Sequence, residues 1–144
     1  MRAPHPIGLL CVAASVACSR ELPQQKQSAD ASIPAIVVAR QVDAYNKRDL
    51  DGFVATFSPD VEMRTLGSDN VAVRGHKAMR EAYQWLLTAP KELQAVAVER
   101  IVSGPFVVAR LHIEGLSEPF PFDPVWIYEV RDSLIRRVWL TGNK

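Results

Sequence analysis

The sequence predicts an α+β domain over residues 32–144, with three N-terminal helices packed in a strongly curved antiparallel sheet. Three observations lead to this prediction. The chain has 144 residues, of which 48% are apolar and 23% charged, the composition of one soluble domain. Apolar residues recur mainly every three or four positions up to about residue 90, and they alternate with other residues afterwards. Since helical and strand patterns are largely segregated along the chain, an α+β class is favoured over α/β.

The first predicted helix begins at Ser32 and runs to about Asn46. Serine is favoured as an N-cap, and Pro34 falls in the first turn, where a missing N–H does no harm. The apolar stripe follows the i, i+4, i+7 spacing of a helix and consists of Val38, Val42 and Tyr45. Gln41 lies at the edge of the same stripe.

A second, shorter helix is predicted from Asp49 until Ser58 and Pro59 stop it. Its apolar residues are Leu50, Phe53, Val54 and Phe57. The alternation of Val61, Met63 and Thr65 with charged residues then predicts a half-buried strand, and a loop follows over residues 67–70.

The third helix is predicted to start after Gly75 and to end before Pro90. Its apolar face consists of Ala78, Met79, Ala82, Tyr83, Leu86 and Leu87. Four strands follow, over residues 94–103, 106–114, about 120–130 and 134–141. Because their connections are short, we predict an antiparallel meander in chain order. A bent sheet wrapped around a helix would form a cone, or α+β barrel, with an apolar interior.

Residues 1–17 resemble a signal peptide: Arg2 is followed by an uncharged run from Ile7 to Ala17 that ends in small residues. This run is too short for a transmembrane helix. Cys18 follows in the order Ser-Val-Ala-Cys, which resembles a bacterial lipobox and predicts lipidation of Cys18, while residues 18–31 suit a flexible tether. The predicted location is the bacterial cell envelope or periplasm, with membrane contact only through the lipid. Soluble export and a buried apolar N-terminus remain alternatives.

Charge and motifs exclude several function classes. Seventeen Lys and Arg residues against sixteen Asp and Glu residues leave no basic excess for nucleic-acid binding. The sequence has no metal-ligand spacing, no G-x-S-x-G elbow and no glycine-rich phosphate loop after a strand. We therefore expect neither a metal nor a cofactor.

Three segments resemble a known family. They are V-D-A-Y-N-K-R-D-L-D-G-F-V-A-T-F-S-P-D-V from Val42, V-R-G-H-K-A-M-R-E-A-Y from Val73 and I-Y-E-V-R-D-S-L-I-R-R-V-W from Ile127. In order and spacing they resemble a SnoaL-like domain of the nuclear transport factor two-like superfamily, which includes the steroid delta-isomerases. The resemblance covers about residues 33–142. It implies a cone with a deep pocket at its open end, and a homodimer formed through the outer surface of the sheet.

The resemblance also allows the catalytic positions of the isomerases to be checked. Alignment on residues 44–52 places Gln41 where the family has its tyrosine and Thr65 where it has its carboxylate base. An amide and a hydroxyl can donate hydrogen bonds to a ligand, but neither can abstract a carbon-bound proton near neutral pH. Many SnoaL-like proteins have an Asp-His-Glu run where this chain has Ala109, Arg110 and Leu111. Asp123 is the remaining acidic candidate for catalysis, and its alternative is a solvated turn carboxylate.

Other polar and aromatic side chains suit a binding pocket. The candidate ligand-binding residues are Gln41, Tyr45, Thr65, Trp126, Tyr128 and Trp139. For the aromatic residues, ordinary core packing is the alternative. Arg110, His112 and Glu114 share one face of their strand, and this face either is exposed, faces a dimer partner or faces a ligand.

Three functions are compatible with these features. The first is an exported domain that binds a small, largely apolar molecule in its cone. The second is an isomerase, cyclase or hydrolase that acts on a lipophilic carbonyl or epoxide, with Asp123 as the proton carrier. The third is a non-catalytic structural or partner-binding dimer.

Overall fold

A computed structural model describes residues 32–115 and 123–141, and it shows the predicted α+β fold. The helices are α1 (Ile33–Asn46), α2 (Leu50–Ala55) and α3 (Gly75–Tyr83), and α3 continues as a 3-10 helix (Gln84–Thr88). The strands are β1 (Phe57–Thr65), β2 (Val71–Arg74), β3 (Gln94–Ser103), β4 (Phe106–Glu114), β5 (Val125–Arg131) and β6 (Leu134–Leu140). No helix in these two ranges is long and apolar enough to span a membrane.

The six strands form one curled sheet that does not close, in the order β2-β1-β6-β5-β4-β3. The predicted meander of the last four strands is confirmed, since each pairs antiparallel with the next. One pairing departs from the predicted antiparallel pattern, because β1 lies parallel to β6. Strand β2 was missed; it pairs with β1 and forms one edge. Irregularities in the pairing of β1, β3 and β5 help the sheet to bend around the helices.

Predicted element boundaries needed three corrections. Phe57 begins β1 instead of ending the second helix, and Pro59 is accommodated where β1 has a register irregularity against β6. The backbone tightens to a 3-10 helix after Tyr83, which rotates Leu87 away from the expected apolar face and leaves it 60% exposed. Strand β5 starts at Val125; residues 116–122, part of the strand predicted from about 120, lie outside the described residues.

The core lies between the helices and the concave side of the sheet. Its centre is a cluster of rings around Phe53, which is fully buried. The ring centroid of Phe53 lies 4.7 Å from that of Tyr83, 5.1 Å from that of Phe57 and 6.2 Å from that of Tyr45. Because Tyr45 and Tyr83 also border the cavity described below, the packing of Phe53 helps to fix the shape of that cavity.

Asn46 joins the end of α1 to the start of β3. Its side-chain amide donates to the carbonyl oxygen of Ala95 at 2.9 Å, and its Oδ1 accepts from the backbone N–H of Ala95 at 2.8 Å. The Arg48 guanidinium donates to the carbonyl oxygen of Leu93 at 2.7 Å. These contacts satisfy backbone groups that the sheet leaves unpaired, and they fix the distance between helix and sheet at this end of the domain.

Candidate functional site

A cavity of about 260 Å³ lies between α1, the end of α3 with its 3-10 helix, and strands β3 to β5. Its lining residues are all uncharged: Gln41, Val42, Tyr45, Tyr83, Trp85, Ala95, Leu111, Ile113 and Trp126. An apolar cavity of about 150 Å³ holds one benzene ring, and drug-sized ligands occupy roughly 300–1,000 Å³. The cavity is therefore sized for a molecule of about one or two rings.

Local structure explains why these side chains converge. Gln41 and Tyr45 lie four residues apart, so they share one side of α1. Leu111 and Ile113 lie two residues apart on β4 and face the same side of the sheet, as does Trp126 on β5. The 3-10 helix brings Trp85 to the opposite wall, 6.3 Å from Tyr45 between ring centroids.

Gln41 is the main polar group of the cavity wall. It is only 3% exposed, and its Oε1 accepts a hydrogen bond from the Tyr128 hydroxyl at 3.4 Å. Tyr128 is itself fully buried behind Trp126, and their rings stack with centroids 6.0 Å apart. The Trp126 Nε1 is a buried donor without a hydrogen-bond partner in the described part of the chain. The site thus combines apolar walls with a few hydrogen-bonding groups.

The three tyrosines at the cavity remain protonated at neutral pH. Burial raises the pKa of Tyr45, although the nearby Arg48 guanidinium opposes this shift. Burial also raises the pKa values of Tyr83 and Tyr128, far above the ordinary value for a phenol. No carboxylate, histidine, lysine or cysteine is among the residues that line this cavity. The lining can therefore donate and accept hydrogen bonds, but it offers no side chain suited to proton abstraction near pH 7.

The structure brings some of the predicted ligand-binding residues together. Gln41, Tyr45 and Trp126 line the cavity, and Tyr128 lies directly behind them. Thr65 does not join them, because it is the last residue of β1 and is exposed at the end of the sheet.

Trp139 also lies elsewhere, near Arg64 and Arg137 on the convex side of the sheet. Glu129 pairs with Arg137 whereas Val130 pairs with Ile135, so Arg136 is an extra residue in β6. Beyond this irregularity, side chains that would have faced the core lie on the other face of the sheet. Ile135 faces the core, but Arg137 and Trp139 face outwards.

Asp123 is exposed and is not part of the cavity wall. Its Oδ1 lies 2.7 Å from Nδ1 of His112, and its Oδ2 accepts from Arg110 at 2.8 Å. Arg110 also pairs with Glu99 at 3.0 Å, and Nε2 of His112 lies 3.4 Å from Glu114. These residues form a charged cluster on the convex side of the sheet, opposite the buried side chains of β4.

The hydrogen bond between His112 and Asp123 shifts the pKa values of both side chains. The hydrogen bond to Asp123 raises the pKa of His112, with Glu114 acting in the same direction and Arg110 against it. The same bond lowers the pKa of Asp123. The stabilising effect of this pair is therefore lost as the pH rises through the raised pKa of His112. It is also lost as the pH falls through the lowered pKa of Asp123.

We expect the substitution Asp123→Asn to lower the pKa of His112 towards its ordinary value. An amide removes the carboxylate charge and weakens the hydrogen bond that favours the imidazolium. The measurement is an NMR titration of His112, with Glu114→Gln as the control that should cause a smaller fall. An unchanged His112 titration in Asp123→Asn would show that this pair does not form in solution.

Six lining residues were not among the predicted ligand-binding residues: Val42, Tyr83, Trp85, Ala95, Leu111 and Ile113. Tyr83 had been placed on the apolar face of the third helix, and only the helix tightening after it brings Trp85 to the cavity. Ala95, Leu111 and Ile113 have the alternating pattern of ordinary core strands, so their sequence carries no separate signal for a cavity. Metal-binding groups of three or more His, Cys, Asp or Glu residues do not occur within 32–115 and 123–141.

A profile of the SnoaL-like domain matches residues 38–138. Solved structures with the same fold include an uncharacterised cystatin-fold protein from Novosphingobium aromaticivorans, which is 22% identical at a TM-score of 0.63, covering 77% of this chain and 98% of that one. SalBIII, an epoxide hydrolase/cyclase-like enzyme of pyran ring formation in the polyether salinomycin, is 19% identical at a TM-score of 0.64, covering 76% and 90%. TerC, co-crystallised with polyporic acid, is 20% identical at a TM-score of 0.60, covering 78% and 92%. No curated protein sequence matches the chain.

Proposed function

The chain belongs to the SnoaL-like domain family, and from this premise we propose that it binds a small, largely apolar, uncharged molecule in its cavity without converting it. The observation that supports the proposal is the lining itself, which consists of four aromatic side chains, four aliphatic ones and one glutamine. Such a wall favours a flat apolar ligand because it gains from burying rings and has few polar groups to satisfy. A charged ligand would lose its hydration without gaining an opposite charge.

Binding without turnover is favoured over catalysis by the position of the titratable groups. The proton carrier of the enzymatic alternative was Asp123, whose carboxylate is engaged by Arg110 and His112 outside the cavity. Enzymes place titratable groups within hydrogen-bond reach of the reacting atoms. SalBIII and TerC share the fold at low identity, and one fold supports many activities.

Native mass spectrometry of the protein isolated from its own cells tests this proposal. We expect a fraction of the protein to carry a neutral molecule of one or two rings, released on denaturation and unchanged after prolonged incubation. Protein that converts the released molecule into a product would contradict binding without turnover. Protein that neither carries nor takes up any small apolar molecule would contradict binding altogether.

We further propose that the protein is exported and lipidated at Cys18. The support is the sequence of residues 1–31, which lie outside the described residues. The mass of the mature protein from the cell envelope should correspond to an acylated Cys18. A mature protein that retains Met1 would contradict export by this route.

We also propose a homodimer formed through the convex side of the sheet. There, Ile101 is 68% exposed and Phe106 is 38% exposed, and Val108 lies opposite Ile101 on the same side. Contiguous exposed apolar side chains on a sheet favour association with another apolar surface. Light scattering should give a molar mass twice that of the monomer for the wild-type protein. For Ile101→Glu it should give the mass of one monomer. A wild-type protein that is monomeric in solution would contradict this proposal.

A further inference from the structure

The hydrogen bond between Tyr128 and Gln41 lies behind the wall of the cavity. The Tyr128 side chain is fully buried, so its hydroxyl hydrogen needs an acceptor within the protein. Among the described residues, Oε1 of Gln41 is the acceptor recorded for it, at 3.4 Å. Tyr128 itself does not line the cavity, whereas Gln41 does.

This contact decides which end of the Gln41 amide a ligand meets. A glutamine amide has an oxygen that only accepts hydrogen bonds and an NH₂ group that only donates them. Because the oxygen is bound to Tyr128, the NH₂ group is the part of the amide that remains for a ligand. This NH₂ group makes no hydrogen bond within the described part of the chain. Turning the amide around would leave the buried Tyr128 hydroxyl hydrogen without an acceptor, which is unfavourable.

We infer that Tyr128 determines ligand specificity by holding the Gln41 amide so that the cavity offers a hydrogen-bond donor. This inference rests on the proposed function and specifies its ligand class: neutral molecules of one or two rings with a hydrogen-bond acceptor, such as a carbonyl oxygen. The Tyr45 hydroxyl also borders the cavity, but a hydroxyl can donate or accept and therefore does not discriminate. Tyr128 is a positioning residue, because it acts on the ligand through Gln41.

Three neutral two-ring probes of similar size separate the possibilities. 1-Indanone carries an acceptor, indole carries an N–H donor, and indene carries no polar group. We expect the wild-type protein to bind 1-indanone about tenfold more tightly than indole, the factor that corresponds to one satisfied hydrogen bond. Binding is measured by isothermal titration calorimetry.

The variant Tyr128→Phe retains the ring stacked on Trp126 but removes the hydroxyl. In this variant the Gln41 amide is free to turn. The ratio of the affinities for 1-indanone and indole should therefore fall close to one, while the affinity for indene should not change. Ser58→Ala is the control: it also removes a fully buried hydroxyl, but Ser58 lies on β1 and does not line the cavity, so the preference should persist. A general loosening of the fold would weaken all three probes together.

A second variant keeps the inference testable if Tyr128→Phe does not fold. Gln41→Met removes the Gln41 donor, so the preference for 1-indanone over indole should fall in this variant as well. The Trp126 Nε1 donor is the same in both proteins and cannot account for that fall. A wild-type protein that binds indene but does not bind 1-indanone more tightly than indole would overturn the inference and leave the proposed function intact. A wild-type protein that binds none of the probes would contradict the proposed function itself. Retention of the tenfold preference in Tyr128→Phe would overturn the role of Tyr128.

Discussion

Replacing Ala95 by phenylalanine is expected to weaken binding of 1-indanone by about 10- to 100-fold. Ala95 is 5% exposed and lines the cavity, where its neighbours on β4 and α1 are already packed. A ring in place of the methyl group would occupy the space that the ligand needs. The loss of the burial of one ring corresponds to about 1.5–3 kcal/mol, which gives this range of affinities. Calorimetry with the wild-type protein and the variant provides the measurement.

Val96→Phe is the matched control for this experiment. Val96 is the next residue on β3, but it faces the other side of the sheet and is 48% exposed. The added ring would therefore lie outside the cavity, and the affinity should remain within about twofold of that of the wild type, as expected for a surface substitution. If Ala95→Phe binds as tightly as Val96→Phe, the ligand site lies elsewhere.

The substitution Phe53→Ala is expected to lower the free energy of unfolding by about 3–5 kcal/mol. Phe53 has no exposed surface, and its ring contacts three other rings at the centre of the core. Its removal leaves a cavity beneath Tyr45 and Tyr83, both of which line the proposed ligand cavity. Chemical denaturation of the two proteins measures the difference.

Leu87→Ala serves as the control for Phe53→Ala. Leu87 is 60% exposed in the 3-10 helix, so its truncation removes little buried surface and should lower the free energy of unfolding by less than about 1.5 kcal/mol. Similar losses for Phe53→Ala and Leu87→Ala would show that the ring cluster is not the centre of the core.

The sequence predicted those parts of the fold that depend on local patterns. Helix α1 and its cap at Ser32 follow from residue type and spacing, and the Ser32 side chain does accept from the N–H of Ala35, at 3.4 Å. The parallel pairing of β1 with β6 was not predictable in this way, because it joins segments about 75 residues apart through the curvature of the whole sheet. The four residues of β2 are too few to show a strand pattern.

Residues of the cavity could be predicted from the sequence only where the residue type is unusual for its place in a helix or strand. Gln41 on an apolar stripe and Trp126 on an alternating strand could be named from the sequence. Trp139 could not be placed, because the irregularity near Arg136 reverses the sides of β6. Trp85 depends on a change of helix type that the continuing apolar pattern from Tyr83 to Leu87 conceals.

The most direct test of the central claim is an NMR titration of the wild-type protein with 1-indanone. We predict saturable chemical-shift changes at Gln41, at the indole N–H groups of Trp85 and Trp126, and at Ala95, with 1-indanone recovered unchanged. Arg137 and Trp139 on the convex side should not respond. Shifts confined to that convex side, or shifts that never saturate, would contradict a ligand site between the helices and the sheet.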